Sequence, residues 1–163
     1  MVLLNWLTAT YYVRICADRV RIRDVGRGHS LDAPAVVAIE DDGRRRQVIA
    51  VGQGALGAPA RPGLVLAHPF RHPRVPVGDF VVADALLAGL VRSFAKSIHG
   101  FPRPLLRVLI HPQHELEGGL TPIERRAFEE LANNCGARRI AVYEGPELAD
   151  RDINDALFSK LRN

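Results

Sequence analysis

A chain of 163 residues, 47% of them hydrophobic, is the size of one domain and can bury a core without crosslinks, which excludes a wholly disordered protein. Its formal charge of +4 rests mostly on arginine, and Arg19, Arg21, Arg23 and Arg44 to Arg46 gather in the first third, as a solvated basic face or a patch for phosphates or anionic lipid. Cys16 and Cys135 have no partner at a metal-like spacing, so they read as reduced thiols in a cytoplasm, and no disulfide framework is expected.

The amino end, MVLLNWL, is too short for a signal peptide or a spanning helix and lacks the positive stretch that export requires, so the protein is expected to stay inside the cell. Val2, Leu3, Leu4, Trp6 and Leu7 still form a dense apolar cluster, suited to a bilayer interface or to burial against the domain. YYVRICADRVRIRDV holds two β-rich runs, and residues 19–23 alternate charged and apolar, the period of a strand wet on one face. A hairpin around Ala17 and Asp18 follows from it. Ala35 to Ile39 and Gln47 to Val51 are two more apolar runs, joined by an Asp-Asp-Gly turn that favours antiparallel pairing. Residues 52–79 are rich in Gly and Pro and read as loop with one short strand, Leu64 to Ala67. From Asp79, Val82, Leu86, Leu90, Phe94 and Ile98 recur every fourth residue, the stripe of a core-facing helix that Gly100 ends. Leu105 to Ile110 is a buried type of strand. TPIERRAFEELANNCG predicts a helix with Thr121 as N-cap, Pro122 at N1, Glu124 at N3 and Gly136 just past the end. RRIAVYE closes as another strand, and a short helix is expected between Ala149 and Leu161. The order, β-β-β, an insertion, then α-β-α-β, is the ribonuclease-H-like layout of the α/β class, a mixed sheet with helices on its faces.

Several spacings suggest chemistry that their surroundings do not support. Gly52, Gly54 and Gly57 make a formal G-x-G-x-x-G after a strand, yet APARPG follows where a phosphate-binding helix would have to start. Ser93 and Lys96 make S-x-x-K on the surface of an amphipathic helix, with neither later partner motif of that enzyme class. His68 with His72, and His111 with His114, have ligand-like spacings, but prolines interrupt both stretches and no carboxylate completes a set, so no metal site is expected. A nuclease on this layout would need converging carboxylates, one of them on the first strand, which carries Arg14 instead. Tyr11, Tyr12 and Trp6 are not spaced as a stacking platform, which leaves a basic nucleic-acid-binding module as a lesser reading.

Taken together, LDAPAVVAI, VGDFVVADALLAGLV and TPIERRAFEELANNCGARRIAVYEGPELA resemble the bacterial actin MreB family over roughly residues 19–155. The resemblance implies an actin-like ATPase lobe as a single unit over residues 1–163, with a core of residues 1–39 and 79–163 and a small inserted subdomain at residues 40–78. In that family the lobe is one half of a two-lobed ATPase with its nucleotide in the cleft. Glu124 is similar to the residue that positions the attacking water. Glu144, before Pro146 in E-x-P, is similar to the approach to the hinge and stands where a second lobe would begin. The family's first phosphate loop, D-L-G-T-A-N-T, matches RICADRV, residues 14–20. Arg14 replaces the carboxylate that orients Mg²⁺-bound water, and Cys16 and Ala17 replace the small residues whose amides face phosphate.

Those departures imply weak ATP–Mg²⁺ binding at most, no required cofactor and a vestigial role for Glu124, because positioning a water helps only when the phosphoryl group is held in line with it. The resemblance therefore implies a cell-shape protein that acts by contact with itself or with another actin-like or cytoskeletal protein. The rival expectation is a nucleotide-dependent ATPase completed by a second chain. Two surfaces are expected to meet partners. One is the stretch of Leu148, Ile153, Leu157 and Leu161, left uncovered unless it folds back or pairs; the other is the amino-terminal cluster, at the inner membrane beside the basic hairpin.

Overall fold

The computed structural model describes residues 7–99, 104–114 and 118–161. Three antiparallel strands open the chain: β1, Thr8–Ile15, β2, Arg19–Asp24, and β3, Ser30–Pro34. β4, Val37–Asp41, β5, Arg46–Val51, the single turn α1, Gln53–Leu56, and β6, Leu64–Ala67, come next. Then α2, Phe80–Ile98, β7, Leu105–Pro112, α3, Pro122–Asn134, and β8, Arg139–Val142, alternate, and a 3₁₀ turn at Asp150–Asp152 leads to α4, Asp155–Lys160.

The main sheet runs β3-β2-β1-β7-β8, with β1, β7 and β8 parallel to one another and β2 and β3 antiparallel. This is the mixed sheet that the element order predicts. Its third strand differs from the expectation. The run Ala35 to Ile39 does pair with Gln47 to Val51, but β4 is the central strand of a separate sheet, β5-β4-β6, and so leaves the core that was expected to reach residue 39. The main sheet is completed instead by SLDAP, which has one buried residue and ends in proline, as an edge strand can.

The two faces of the main sheet follow from strand alternation. Tyr11, Val13, Ile15, Val108, Ile110 and Val142 point to the face covered by α2 and α3, where the helical stripe of Val82, Leu86, Leu90 and Phe94 meets them in one buried cluster. Tyr12, Leu109 and Ala141 point to the other face, where Ile153 and Phe158 cover them.

Both long helices are capped as their sequences imply. Asp79 accepts the Val82 N–H at 3.1 Å, and Thr121 and Glu124 form a reciprocal capping box. Past the end of α3, Gly136 has φ 88°, a conformation that other residues adopt only with strain.

Candidate functional site

The carboxyl ends of β1, β7 and β8 lie side by side, because Ile15 is level with Pro112 and Ile110 with Val142. In open α/β sheets this is the edge where ligands are bound. A cavity of about 290 Å³ opens there, lined by His111, Gln113 and His114 after β7, by Gly119 before α3 and by Glu144 after β8.

The residues of the expected phosphate loop reach this edge from the β1–β2 hairpin. Arg14, its side chain mostly buried, forms an ion pair with Glu147 and lies over the Tyr12 ring at 5.7 Å. Cys16 donates through Sγ to Gln113 Oε1 at 3.4 Å, and its own N–H donates to the Arg19 carbonyl at 2.9 Å. Ala17 is exposed at the hairpin tip. The structure therefore brings Arg14 and Cys16 to the cavity's border, with the charge of Arg14 already matched and the Cys16 amide already bonded within the hairpin.

His111, 3% exposed, is the centre of a network that sequence reading missed. Its Nδ1 lies 2.6 Å from the Tyr12 hydroxyl, which also accepts the Leu148 N–H at 3.3 Å. Tyr143 packs edge-on against the imidazole with centroids 5.0 Å apart. Burial lowers the His111 pKa, outweighing the hydrogen bond to the Gly145 backbone that raises it. The ring is thus neutral at pH 7, and burial likewise raises the Tyr12 phenol. His114 turns the other way, its Nε2 3.4 Å from the Phe70 carbonyl, and burial is the main cause lowering its pKa as well. The two histidines therefore serve different partners, and among the described residues no group of three His, Cys, Asp or Glu side chains could hold a metal ion. The signal available in the sequence was the period-two register that places Tyr12 and His111 on one face.

Two carboxylates govern the start of α3. Glu124 Oε2 accepts both the N–H and the hydroxyl of Thr121, each at 2.8 Å, so this carboxylate is held in the helix cap. Glu144 accepts the Leu120 N–H at 2.7 Å and pairs with Arg125, whose other arm donates to the Val142 carbonyl at 2.9 Å. Gly119 has φ 76°, which favours glycine, and a Cβ there would meet Glu144 Oε1 at 2.8 Å and displace that carboxylate. Glu144 is a clasp between the end of β8 and the entry to α3.

The two expected partner surfaces fare differently. Ile153 is buried against Tyr12, Leu109 and Ala141, and Leu148, Leu157 and Leu161 are half-buried around the same cluster. The expectation of an uncovered apolar stretch is corrected: residues 147–161 fold back over the outer face of the sheet. Arginines on that face hold them there, Arg23 to Asp150 at 2.7 Å, Arg107 to Asp155 at 2.9 Å and Arg139 to Asp155 at 2.6 Å. Of the amino-terminal cluster, Val2, Leu3, Leu4 and Trp6 lie outside the described residues, while Leu7 is 41% exposed. Arg19 and Arg21 lie at the far end of β1 from Leu7 and share one carboxylate, Asp32, at 2.7 and 3.2 Å.

Comparison with known proteins agrees on one family. The model of the MreB/Mbl protein family matches residues 15–151. The cell shape-determining protein MreB of Escherichia coli strain K12 is 36% identical over 130 residues, 76% of this chain and 35% of the relative. Mbl of Bacillus subtilis strain 168, also a cell shape-determining protein, is 28% identical over 133 residues, 80% of this chain and 36% of the relative. The chain thus spans about a third of the length of the curated relatives it matches. Among solved structures, MreB5 of Spiroplasma citri bound to ADP superposes with a TM-score of 0.63 at 20% identity, over 85% of this chain and 39% of that one. A non-polymerising mutant of MamK bound to AMPPNP superposes with a TM-score of 0.62 at 17% identity, over 84% of this chain and 41% of that one. These two likenesses establish the actin-like fold.

Proposed function

The chain belongs to the MreB/Mbl family, and we propose that it serves cell shape as an actin-like cytoskeletal lobe, working by contact with itself or another actin-like protein and without turning over ATP. The observation that carries this reading is Arg14. At the position where the resemblance puts the family's carboxylate, a guanidinium offers no oxygen to a divalent cation, and Glu147 has already matched its charge. The bonded Cys16 amide and the capped Glu124 support the same reading, since a phosphate needs free amides and a water needs a free carboxylate. ATP–Mg²⁺ is therefore expected to bind weakly at most.

Isothermal titration of the chain with ATP–Mg²⁺ is expected to show no saturable binding in the micromolar range, and a micromolar affinity would overturn the non-catalytic reading. The contact reading is tested by co-sedimentation with assembled MreB filaments, in which the chain is expected to pellet in a saturable way. Failure to pellet, together with a monomeric mass at high concentration, would sink it.

Among the described residues no helix is long and apolar enough to cross a membrane. The proposal places the protein in the cytoplasm with its amino end, Val2, Leu3, Leu4, Trp6 and Leu7, in peripheral contact with the inner membrane. At about 0.8 kcal/mol per buried CH₂, such a cluster supports reversible attachment. Nucleic acid is not a proposed partner, because the hairpin arginines that would meet it are paired within the fold.

A further inference from the structure

At the end of the main sheet away from the phosphate-loop hairpin, α2 and α3 separate around the start of β7 and enclose a second cavity of about 390 Å³. Its volume falls in the range of small-molecule sites, roughly 300–1,000 Å³. Val91, Ala95 and Leu106 give it apolar walls, and Tyr11 lines it from β1.

Three polar features converge on this space. Arg92, on α2, and Arg138, in the turn between α3 and β8, line it with exposed side chains, and neither guanidinium has an ion-pair or hydrogen-bond partner among the described residues. Arg138 is held in position by its backbone, whose N–H donates to the Leu106 carbonyl at 2.7 Å. The third feature is Tyr11, which is 1% exposed and fixed by Phe94 edge-on at 5.2 Å and by His99 stacked at 6.1 Å. Its hydroxyl has no hydrogen-bond partner among the described residues. Burial keeps this phenol protonated, so its hydroxyl is a hydrogen-bond donor, with Asp24 and Arg27 as its charged neighbours.

Two planar guanidiniums match the oxygens of a phosphate, because each can donate in pairs and together they offset its two negative charges. The end of α3 lies close by, with Cys135 and Gly136 also lining the cavity, and its dipole opposes an anion with roughly half a charge. Two full positive charges outweigh it. The acidic side chain of α2, Asp84, accepts a hydrogen bond from Asn134 Nδ2 at 2.8 Å and keeps its charge, which the two guanidiniums together exceed.

We propose that this cavity binds a small aryl phosphate, with the phosphate on Arg92 and Arg138, the ring against Val91, Ala95 and Leu106, and an acceptor on the ring facing the Tyr11 hydroxyl. The site is separate from the hairpin cleft and does not depend on whether that cleft holds nucleotide.

The test titrates the intact chain with 4-acetylphenyl phosphate and follows the amide resonances of Cys135, Gly136 and Arg138. Saturable binding is expected at a Kd below about 1 mM, with inorganic phosphate and 4-hydroxyacetophenone each roughly tenfold weaker and phenyl phosphate, which lacks the acceptor, a few-fold weaker. Arg92→Gln with Arg138→Gln is expected to weaken the aryl phosphate roughly tenfold. Tyr11→Phe is expected to erase the preference for the acetyl compound over phenyl phosphate while leaving phenyl phosphate unchanged. If inorganic phosphate binds as tightly as the aryl compound, the site holds an adventitious ion only and the proposal falls. It falls equally if the aryl phosphate does not saturate at millimolar concentration, or if the arginine double variant binds it with full affinity. The ligand series on the unmodified chain decides the matter even where a variant loses its fold.

Discussion

Replacing Phe158 by alanine tests whether residues 147–161 belong to the folded core. The side chain is fully buried, against Tyr12, Leu109, Ala141 and Ile153. Arg107 and Arg139 lie over its ring at 4.6 and 5.4 Å, and both also pair with Asp155. Truncating a buried Phe to Ala typically costs about 3–5 kcal/mol in lost transfer energy and cavity. The cation–ring contacts contribute roughly 0.5–1 kcal/mol each within that loss. A chain of this size holds about 5–15 kcal/mol in total, so the variant should lose a large share of its stability. The expected fall in Tm is roughly 6–20 °C. Phe158→Leu keeps most of the apolar volume and loses the ring contacts, so it should cost about 1–2 kcal/mol. Urea unfolding of the three proteins, monitored by tyrosine fluorescence and far-UV circular dichroism, measures both differences. If Phe158→Ala lowers stability by less than about 1 kcal/mol with an unchanged urea dependence, α4 is not part of the cooperative core and the reasoning fails.

The remaining predictions concern the cleft, the helix cap and the amino end. His111 and His114 have pKa values lowered from 6.5, chiefly by burial, so the unfolded chain binds more protons than the folded one as pH falls below 6.5. Their contribution is whole above that pH and is lost toward the lower folded values, and the urea midpoint should drop between pH 7.5 and 5.5. The drop should shrink in a His111→Gln, His114→Gln double variant; an equal drop would assign the pH dependence elsewhere. Thr121→Ala removes the hydroxyl that accepts the Glu124 N–H at 3.3 Å and should cost about 1 kcal/mol, read as a shift in thermal midpoint, with no shift telling against the capping box as a stabilising device. Deleting residues 1–7 should abolish flotation with anionic vesicles; equal flotation of both chains, or of neither, would remove the membrane proposal.

Amphipathic period and cap chemistry carried much of the fold to the reader of the sequence alone. The stripe on α2 and the Thr-Pro-x-Glu start of α3 are local patterns, satisfied within a turn or two of helix, and they stand as read. The third strand of the main sheet was not legible because SLDAP lies at an edge, where one row of hydrogen bonds suffices and apolar alternation is not required. The apolar run of β4 suits either sheet equally well, and strand pairing across the chain decided that it would leave the main one.

The candidate site divides along the same physical line. RICADRV departs from the phosphate loop that the resemblance implies in residue types legible from the string, with Arg14 where a carboxylate is expected and Cys16 and Ala17 where small residues are expected. That Arg14 would find Glu147, and that Leu148, Ile153, Leu157 and Leu161 would fold back rather than wait for a partner, could not be read there. Those contacts join residues well separated along the chain, and they exist because strand pairing puts Arg14, Arg23, Arg107 and Arg139 and a strip of apolar side chains on one face of a single sheet. Burying that strip removes it from water, and the acidic side chains that follow β8, Glu147, Asp150 and Asp155, meet those arginines. The family and its layer order were therefore determined by local sequence pattern, whereas the partners of the charged and apolar side chains at the site were decided by which strands became neighbours.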